Sequence, residues 1–188
     1  MENLNNIVEM LGIEKNIVLE DIPNIDLYMD QVIQFFESTF SSSKRNEDEK
    51  ILTKTMINNY AKGKLFFPIK NKKYSKEHII LISLIYQLKA GLSINDIKLS
   101  LDGINEKVSL EDFGLESFYR SYLTLCNQNA KNFKEDLFIR AEEVKEEVVK
   151  LDDKNPEYLE QVLLIASLVN ISNMYRRVAE KLVDEIAK

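Results

Sequence analysis

Five glycines and three prolines are the only strong backbone punctuation in 188 residues. A fold made of many short strands needs a turn after each one, so this scarcity argues against sandwiches and barrels. Leu, Ile, Glu and Lys are abundant, Trp is absent, and 45% of the residues are hydrophobic, enough to bury a real core. The expectation is a mainly α protein carrying at most a small β-hairpin.

Apolar spacing divides the chain into segments. Residues 3–11 read as a short helix stopped at Gly12, which readily takes the left-handed conformation that ends helices. Leu27, Tyr28, Val32, Phe35, Phe36 and Phe40 recur at helical spacing and predict a helix over 25–40. Residues 41–50 are small, polar and charged, the pattern of a mobile loop. Thr53 can cap a helix to Lys62 that turns Ile57, Tyr60 and Ala61 inward. From Leu65 to Tyr74 the pattern is too short and Pro-interrupted for a helix, and a hairpin with its tip near Asn71 fits. Ser75 caps a helix to about Ala90, closed by Gly91, and Ser93 caps another through Leu101.

The remainder reads as helical. A helix is expected over 116–151, with a break in the Asn-rich stretch 127–132, and Pro156 suits the first turn of a last helix reaching Ala187. Residues 162–169 are apolar on several faces, which predicts enclosure by other helices or by a second subunit. The segments group as an accessory N-terminal helix (1–24), a central domain (25–104) and a helical dimerisation or effector region (105–188).

The net charge is −6, which by itself opposes nucleic acid binding. Its distribution reverses that argument. Between Thr53 and Lys76 lie Lys54, Lys62, Lys64, Lys70, Lys72, Lys73 and Lys76 with no Asp or Glu, a segment of +7 that leaves −13 for everything else. Such a chain can offer one face to a polyanion while the acidic remainder discourages wrong docking. The other reading of the same run is a solvated lysine-rich loop.

Helix, basic hairpin, helix and short helix in this order resemble the DNA-binding domain of MerR-family regulators. That family has Ser-x-x-Thr-Leu-Arg-Tyr-Tyr in its recognition helix, followed by Leu and Pro. Here Thr53-Lys54-Thr55-Met56-Ile57-Asn58-Asn59-Tyr60 precedes Leu65 and Pro68. Arg-Tyr-Ser-x-Glu-Asp-Leu is matched by Lys73-Tyr74-Ser75-Lys76-Glu77-His78-Ile79, and Gly-Phe-Ser-Leu-x-Glu-Ile by Gly91-Leu92-Ser93-Ile94-Asn95-Asp96-Ile97. The wording also resembles an uncharacterised bacterial family, a domain of unknown function with a MerR-like core. Departures are plain: Asn58-Asn59 replace Arg-Tyr, Gly63 stands one position early with Lys64 in the usual glycine place, and a long loop precedes the second helix. No base preference carries over.

The resemblance implies a MerR-like winged helix with a small β-hairpin wing, followed by an all-α C-terminal region. It also implies a homodimeric, cytoplasmic transcription regulator that binds double-stranded DNA, with a small-molecule or protein effector possible in the C-terminal region. Side-chain chemistry runs parallel to it. Asn can pair with adenine N6 and N7, and Lys with guanine or phosphate, so Lys54, Thr55, Asn58, Asn59 and Lys62 are candidate groove readers. Lys70, Lys72 and Lys73 of the wing are candidate phosphate contacts, which position without reading sequence.

Other chemistry has little material. His78 and Cys126 are the only histidine and cysteine, so neither a metal cluster nor a nucleophile-base arrangement is expected, and the chain is read as a non-enzyme without cofactor or metal. His78 is expected in a structural role and Cys126 as a small apolar residue. Phe118, Tyr119, Tyr122, Phe133 and Phe138 could line an effector pocket or simply build core. No apolar stretch approaches the ~18 residues of a membrane span. The competing functional reading is a protein-interaction module on a winged-helix scaffold that has lost DNA binding.

Overall fold

The computed structural model describes residues 2–110 and 112–188 as seven α-helices and one two-stranded antiparallel sheet. In chain order these are α1 (Glu2–Leu11), β1 (Leu27–Tyr28), α2 (Met29–Phe40), a 3-10 turn (Ser41–Ser43), α3 (Lys54–Lys62), β2 (Lys73–Tyr74), α4 (Lys76–Leu88), α5 (Ile94–Ser109), α6 (Leu115–Val149) and α7 (Pro156–Ile186).

Local signals set most of the boundaries. Gly12 closes α1 with φ +56°. The Thr53 hydroxyl accepts from the Met56 amide at 3.1 Å, capping α3, and the Ser93 hydroxyl accepts from the Asp96 amide at 3.2 Å to open α5. Ser75 opens α4, its amide donating to Nδ1 of His78 at 3.1 Å, so the histidine fills the place of the Glu or Gln in a capping box.

Four expectations need correction. Residues 27 and 28 are strand rather than helix, because Leu27 pairs with Tyr74 and Tyr28 with Lys73 before α2 begins. The small antiparallel pair therefore joins segments far apart in the chain. Between the strands' neighbours, Lys70 and Lys73 form a single bridge across a tight turn. Helix α5 does not stop at Leu101 but continues through Gly103 to Ser109. Helix α6 runs unbroken through residues 127–132, whose polar side chains face solvent and bond along the surface, as Gln128 does to Asn132 at 2.8 Å. Residues 41–50 are less loose than their composition suggests: Lys44 pairs with Glu37, the Arg45 amide donates to Glu49 at 2.7 Å, and Ile51 and Leu52 that follow are buried.

The core is built around α4. Every residue from His78 to Ile85 is buried, so this helix is apolar on all sides and is wrapped by β2, α6 and the elements that complete the cluster. Ile17, Leu19 and Ile22 enter from the N-terminal segment, Val32, Phe36 and Phe40 from α2, Ile57 and Tyr60 from α3, Ile97 and Leu101 from α5, Leu115 and Tyr119 from α6. The buried hydroxyls of Ser83 and Tyr119 are paired, while Oδ1 of Asn105 is buried without a partner. The Tyr119 hydroxyl donates to the Ile17 carbonyl at 2.8 Å and meets the Ser83 hydroxyl at 2.8 Å, tying three distant segments together. Burial pushes the Tyr119 pKa up to about 12.

Beyond Tyr122 the architecture changes. The rest of α6 packs antiparallel on α7 through Leu137, Ala141, Val144 and Val148, and α7 also touches α5. Only Val183 of α7 is buried. The expected enclosure of residues 162–169 is thus not supplied by other helices of this chain.

Candidate nucleic-acid interface

Helix α3 turns Ile57 and Tyr60 into the core, which leaves the opposite side to solvent. Lys54, Thr55, Asn58, Asn59 and Lys62 are all exposed there. Ala61 is exposed as well, contrary to the inward placement expected for it, because Met56 takes up the flank of the buried stripe. From Lys54 to Lys62 the helix advances ~12 Å, so this row is longer than one base step and shorter than one turn of duplex.

The helix ends in a Schellman arrangement. The Leu65 amide donates to the Tyr60 carbonyl at 3.0 Å and the Lys64 amide to that of Ala61 at 3.1 Å. Lys64 itself sits at φ +55° where a glycine is usual, while Gly63 has φ −71°. A Cβ on Gly63 would stand 2.6 Å from Cδ1 of Leu65 and 3.2 Å from the Asn59 carbonyl oxygen. The displaced glycine thus serves close packing, and Lys64 carries a conformation that disfavours side chains.

The segment after α3 is anchored from below. Asn105 of α5 donates to the Leu65 carbonyl at 3.0 Å, and Nε2 of His78 lies 3.1 Å from the Phe67 carbonyl. Since Nδ1 of His78 accepts from the Ser75 amide, the proton is on Nε2, which donates to Phe67, and the imidazole is neutral. Burial lowers its pKa, opposed by the bond to Phe67 and by the charge of Glu77. His78 packs among Phe66, Phe67 and Tyr74. It is a structural strut at the base of the turn.

At the tip, Asn71 and Lys72 have φ of +53° and +59°, and the Lys73 amide donates to the Lys70 carbonyl at 2.9 Å. Two left-handed residues in a row make a turn of the I′ kind, whose twist matches antiparallel strands. Lys70 and Lys72 project from it into solvent. Lys73 is partly covered, its ammonium 5.2 Å from the centre of the Tyr28 ring.

The two arms meet at the start of α2. Tyr28 lies under Lys73, and Asp30, two residues on, takes Lys54 at 2.8 Å. That ion pair is exposed on both sides and is worth little in water, so a phosphate can displace it. Among the described residues Lys62, Lys64, Lys70, Lys72 and Lys73 make no salt bridge. Tyr28, Asp30 and Lys64 were not singled out from sequence as site residues. Lys64 was visible in the charge count; the other two depend on the pairing of β1 with β2.

A family model described as Domain of unknown function (DUF1836) matches residues 17–122. The chain belongs to this family. The DUF1836 segment opens at buried Ile17 and closes at Tyr122, which packs on the edge of the core, so the match coincides with the cluster around α4 and takes in both arms of the basic surface. The α6–α7 hairpin beyond Tyr122 lies outside it. No curated protein and no solved structure matches the chain.

Elsewhere the surface holds less chemistry. Among the described residues no three His, Cys, Asp or Glu side chains are placed to hold a metal ion, and no helix is long and apolar enough to cross a membrane. The five aromatics suggested as pocket lining do not converge. Tyr119 is core, Phe118 packs on Phe113, and only Tyr122 and Phe133 share a shallow cleft of about 260 Å³ with Cys126. Two larger open grooves, of about 820 and 920 Å³, flank Phe67, Pro68 and Ile69.

Proposed function

We propose that this chain is a DNA-binding transcription regulator of MerR-like type, acting as a homodimer, with α3 entering the major groove and the turn at Asn71–Lys72 lying along the phosphate backbone as a wing. One observation carries the reading. A helix exposing Lys54, Thr55, Asn58, Asn59 and Lys62, and a turn exposing Lys70 and Lys72 beside Lys73, both contact the start of α2, through Lys54 on Asp30 and Lys73 on Tyr28. The succession β1, α2, α3, turn, β2, α4, α5, with β1 paired to the strand that follows the turn, supports it by resembling a winged helix. In this reading the lysines of the wing neutralise phosphates and fix register, while Asn58 and Asn59 reach base edges.

The test is binding of a labelled duplex by the full chain, titrated with salt. Affinity should fall steeply as salt rises, and Lys72→Ala with Lys73→Ala should weaken specific and unrelated duplexes alike, lowering the salt slope by roughly one unit per lost contact. Asn58→Ala or Asn59→Ala should instead cost about 1–3 kcal/mol on the preferred site with little change in slope.

The acidic remainder of −13 and the two apolar grooves beside Phe67 favour a second reading, a winged-helix scaffold that binds a protein partner. Absence of salt-dependent affinity for duplex DNA at about 50 mM salt, where electrostatic binding is strong, rejects the regulator and leaves this module.

A further inference from the structure

One of the two grooves beside Phe67, of about 920 Å³, lies between the end of α3, the strap that follows it and the C-terminal half of α5. Its size falls within the ~300–1,000 Å³ of small-molecule sites. The α5 wall is a single helix face, because Lys98, Asp102, Asn105 and Glu106 follow one another at steps of four, three and one. The strap supplies an apolar wall of Phe66, Phe67 and Ile69, and Leu110, 76% exposed, stands where α5 ends. Lys64 lines the groove from the end of α3.

The polar groups of this groove are poorly matched to one another. Asp102 reaches Lys98 only at 3.9 Å, and among the described residues Lys64 and Glu106 make no ion pair. Asn105 donates its amide protons to the Leu65 and Leu101 carbonyls, at 3.0 and 3.1 Å, which leaves Oδ1 as an acceptor, buried and without a partner. Lys64 holds φ +55°, where a glycine would sit without strain, and what the side chain adds at that position is an ammonium.

We propose that this groove binds a small apolar zwitterion, a free amino acid or short peptide with a large apolar side chain. The ligand carboxylate meets Lys64, its ammonium meets Glu106 and supplies a donor for Asn105, and its side chain lies against Phe67, Ile69 and Leu110. Charge selects this class. Lys64 and Lys98 balance Asp102 and Glu106, so a plain anion confronts two carboxylates and a plain cation two ammonium groups, whereas a ligand of both signs finds a partner for each. Apolar contact supplies the affinity and the charged groups fix the orientation. The site stands on the groove alone and depends neither on DNA nor on a second copy of the chain.

Titration calorimetry of the full chain without DNA tests it, with L-phenylalanine and L-leucyl-L-phenylalanine as probes, the two arms separating an amino acid from a short peptide. At least one should bind saturably at sub-millimolar concentration. Hydrocinnamate, which lacks the ammonium, and phenethylamine, which lacks the carboxylate, should each bind at least tenfold more weakly. Lys64→Gly should weaken the zwitterion at least tenfold while raising the melting temperature, since glycine accepts the positive φ; a fold defect would move both the same way. Glu106→Gln, at an exposed position, should weaken the zwitterion and bring hydrocinnamate level with it. No saturable binding of either probe, analogues that bind as tightly as the zwitterion, or both variants binding like the wild type overturns the proposal. Each of these outcomes leaves the salt dependence of DNA binding to be judged separately.

Discussion

Helices α4 and α7 both carry long apolar runs, yet they end in opposite environments. In α4 eight consecutive residues from His78 to Ile85 are buried, and in α7 the one buried residue is Val183. The difference lies in what surrounds them. Helix α4 is preceded and followed by segments that fold back over it, and a buried chain of hydrogen bonds through Ser83, Tyr119 and Ile17 closes the wrapping. Helix α7 has one long antiparallel neighbour, α6, and a shorter contact with α5, and together these cover only part of its surface. Apolar content therefore states that a helix needs cover; it does not state who provides it.

The largest expected effect comes from truncating the two helices in the same way. Ile82, fully buried in α4, should lose about 2–5 kcal/mol of stability on replacement by Ala, through lost burial and the cavity left behind. Ile165→Ala in α7 should cost much less in urea unfolding of dilute protein, and more as protein concentration rises. Equal costs at all concentrations would erase the contrast between the helices.

Tyr119→Phe removes one hydroxyl and leaves the Ile17 carbonyl and the Ser83 hydroxyl without their partner. A loss of about 1–3 kcal/mol is expected, the penalty for a buried polar group left unpaired. Hydrogen exchange should quicken in α4 and not in the hairpin, and a uniform change would mean that the two regions unfold as one.

Gly103 lies exposed inside α5, which touches α7, and a Cβ there meets nothing within 4 Å. Gly103→Ala should stabilise by roughly 0.5–1 kcal/mol, since it removes the entropic cost of a glycine in a helix. A destabilised variant would place a neighbour over that position.

At neutral pH the smallest effect belongs to His78. Its folded pKa is depressed from 6.5, chiefly by burial, so the unfolded chain takes up a proton more readily. Stability is therefore full above about 6.5 and is lost as pH falls through the window below it. His78→Gln should flatten that part of the profile of melting temperature against pH, and an unchanged profile would assign the acid sensitivity to carboxylates instead.

Local chemistry made much of the chain legible. Thr53, Ser75 and Ser93 mark helix starts through side chains that bond the first turn, and Gly12 and Pro156 mark an end and a start through backbone preference. The exposed row of α3 and the turn at Asn71 followed from periodicity and turn chemistry, and the family that includes residues 17–122 was legible as a pattern of words. What the sequence by itself determined, then, were the helices, most of their caps, the lysine segment and inward residues such as Val32, Phe36, Ile57 and Tyr60. Tertiary structure alone decided the pairing of β1 with β2, the capture of Lys54 by Asp30, the seating of Lys73 over Tyr28, the neutral His78 strut and the contrast between α4 and α7. The reason is one of range: caps and periods act within a turn or two of the chain. Those pairings join residues far apart in sequence, and no residue announces a distant partner until packing brings it near.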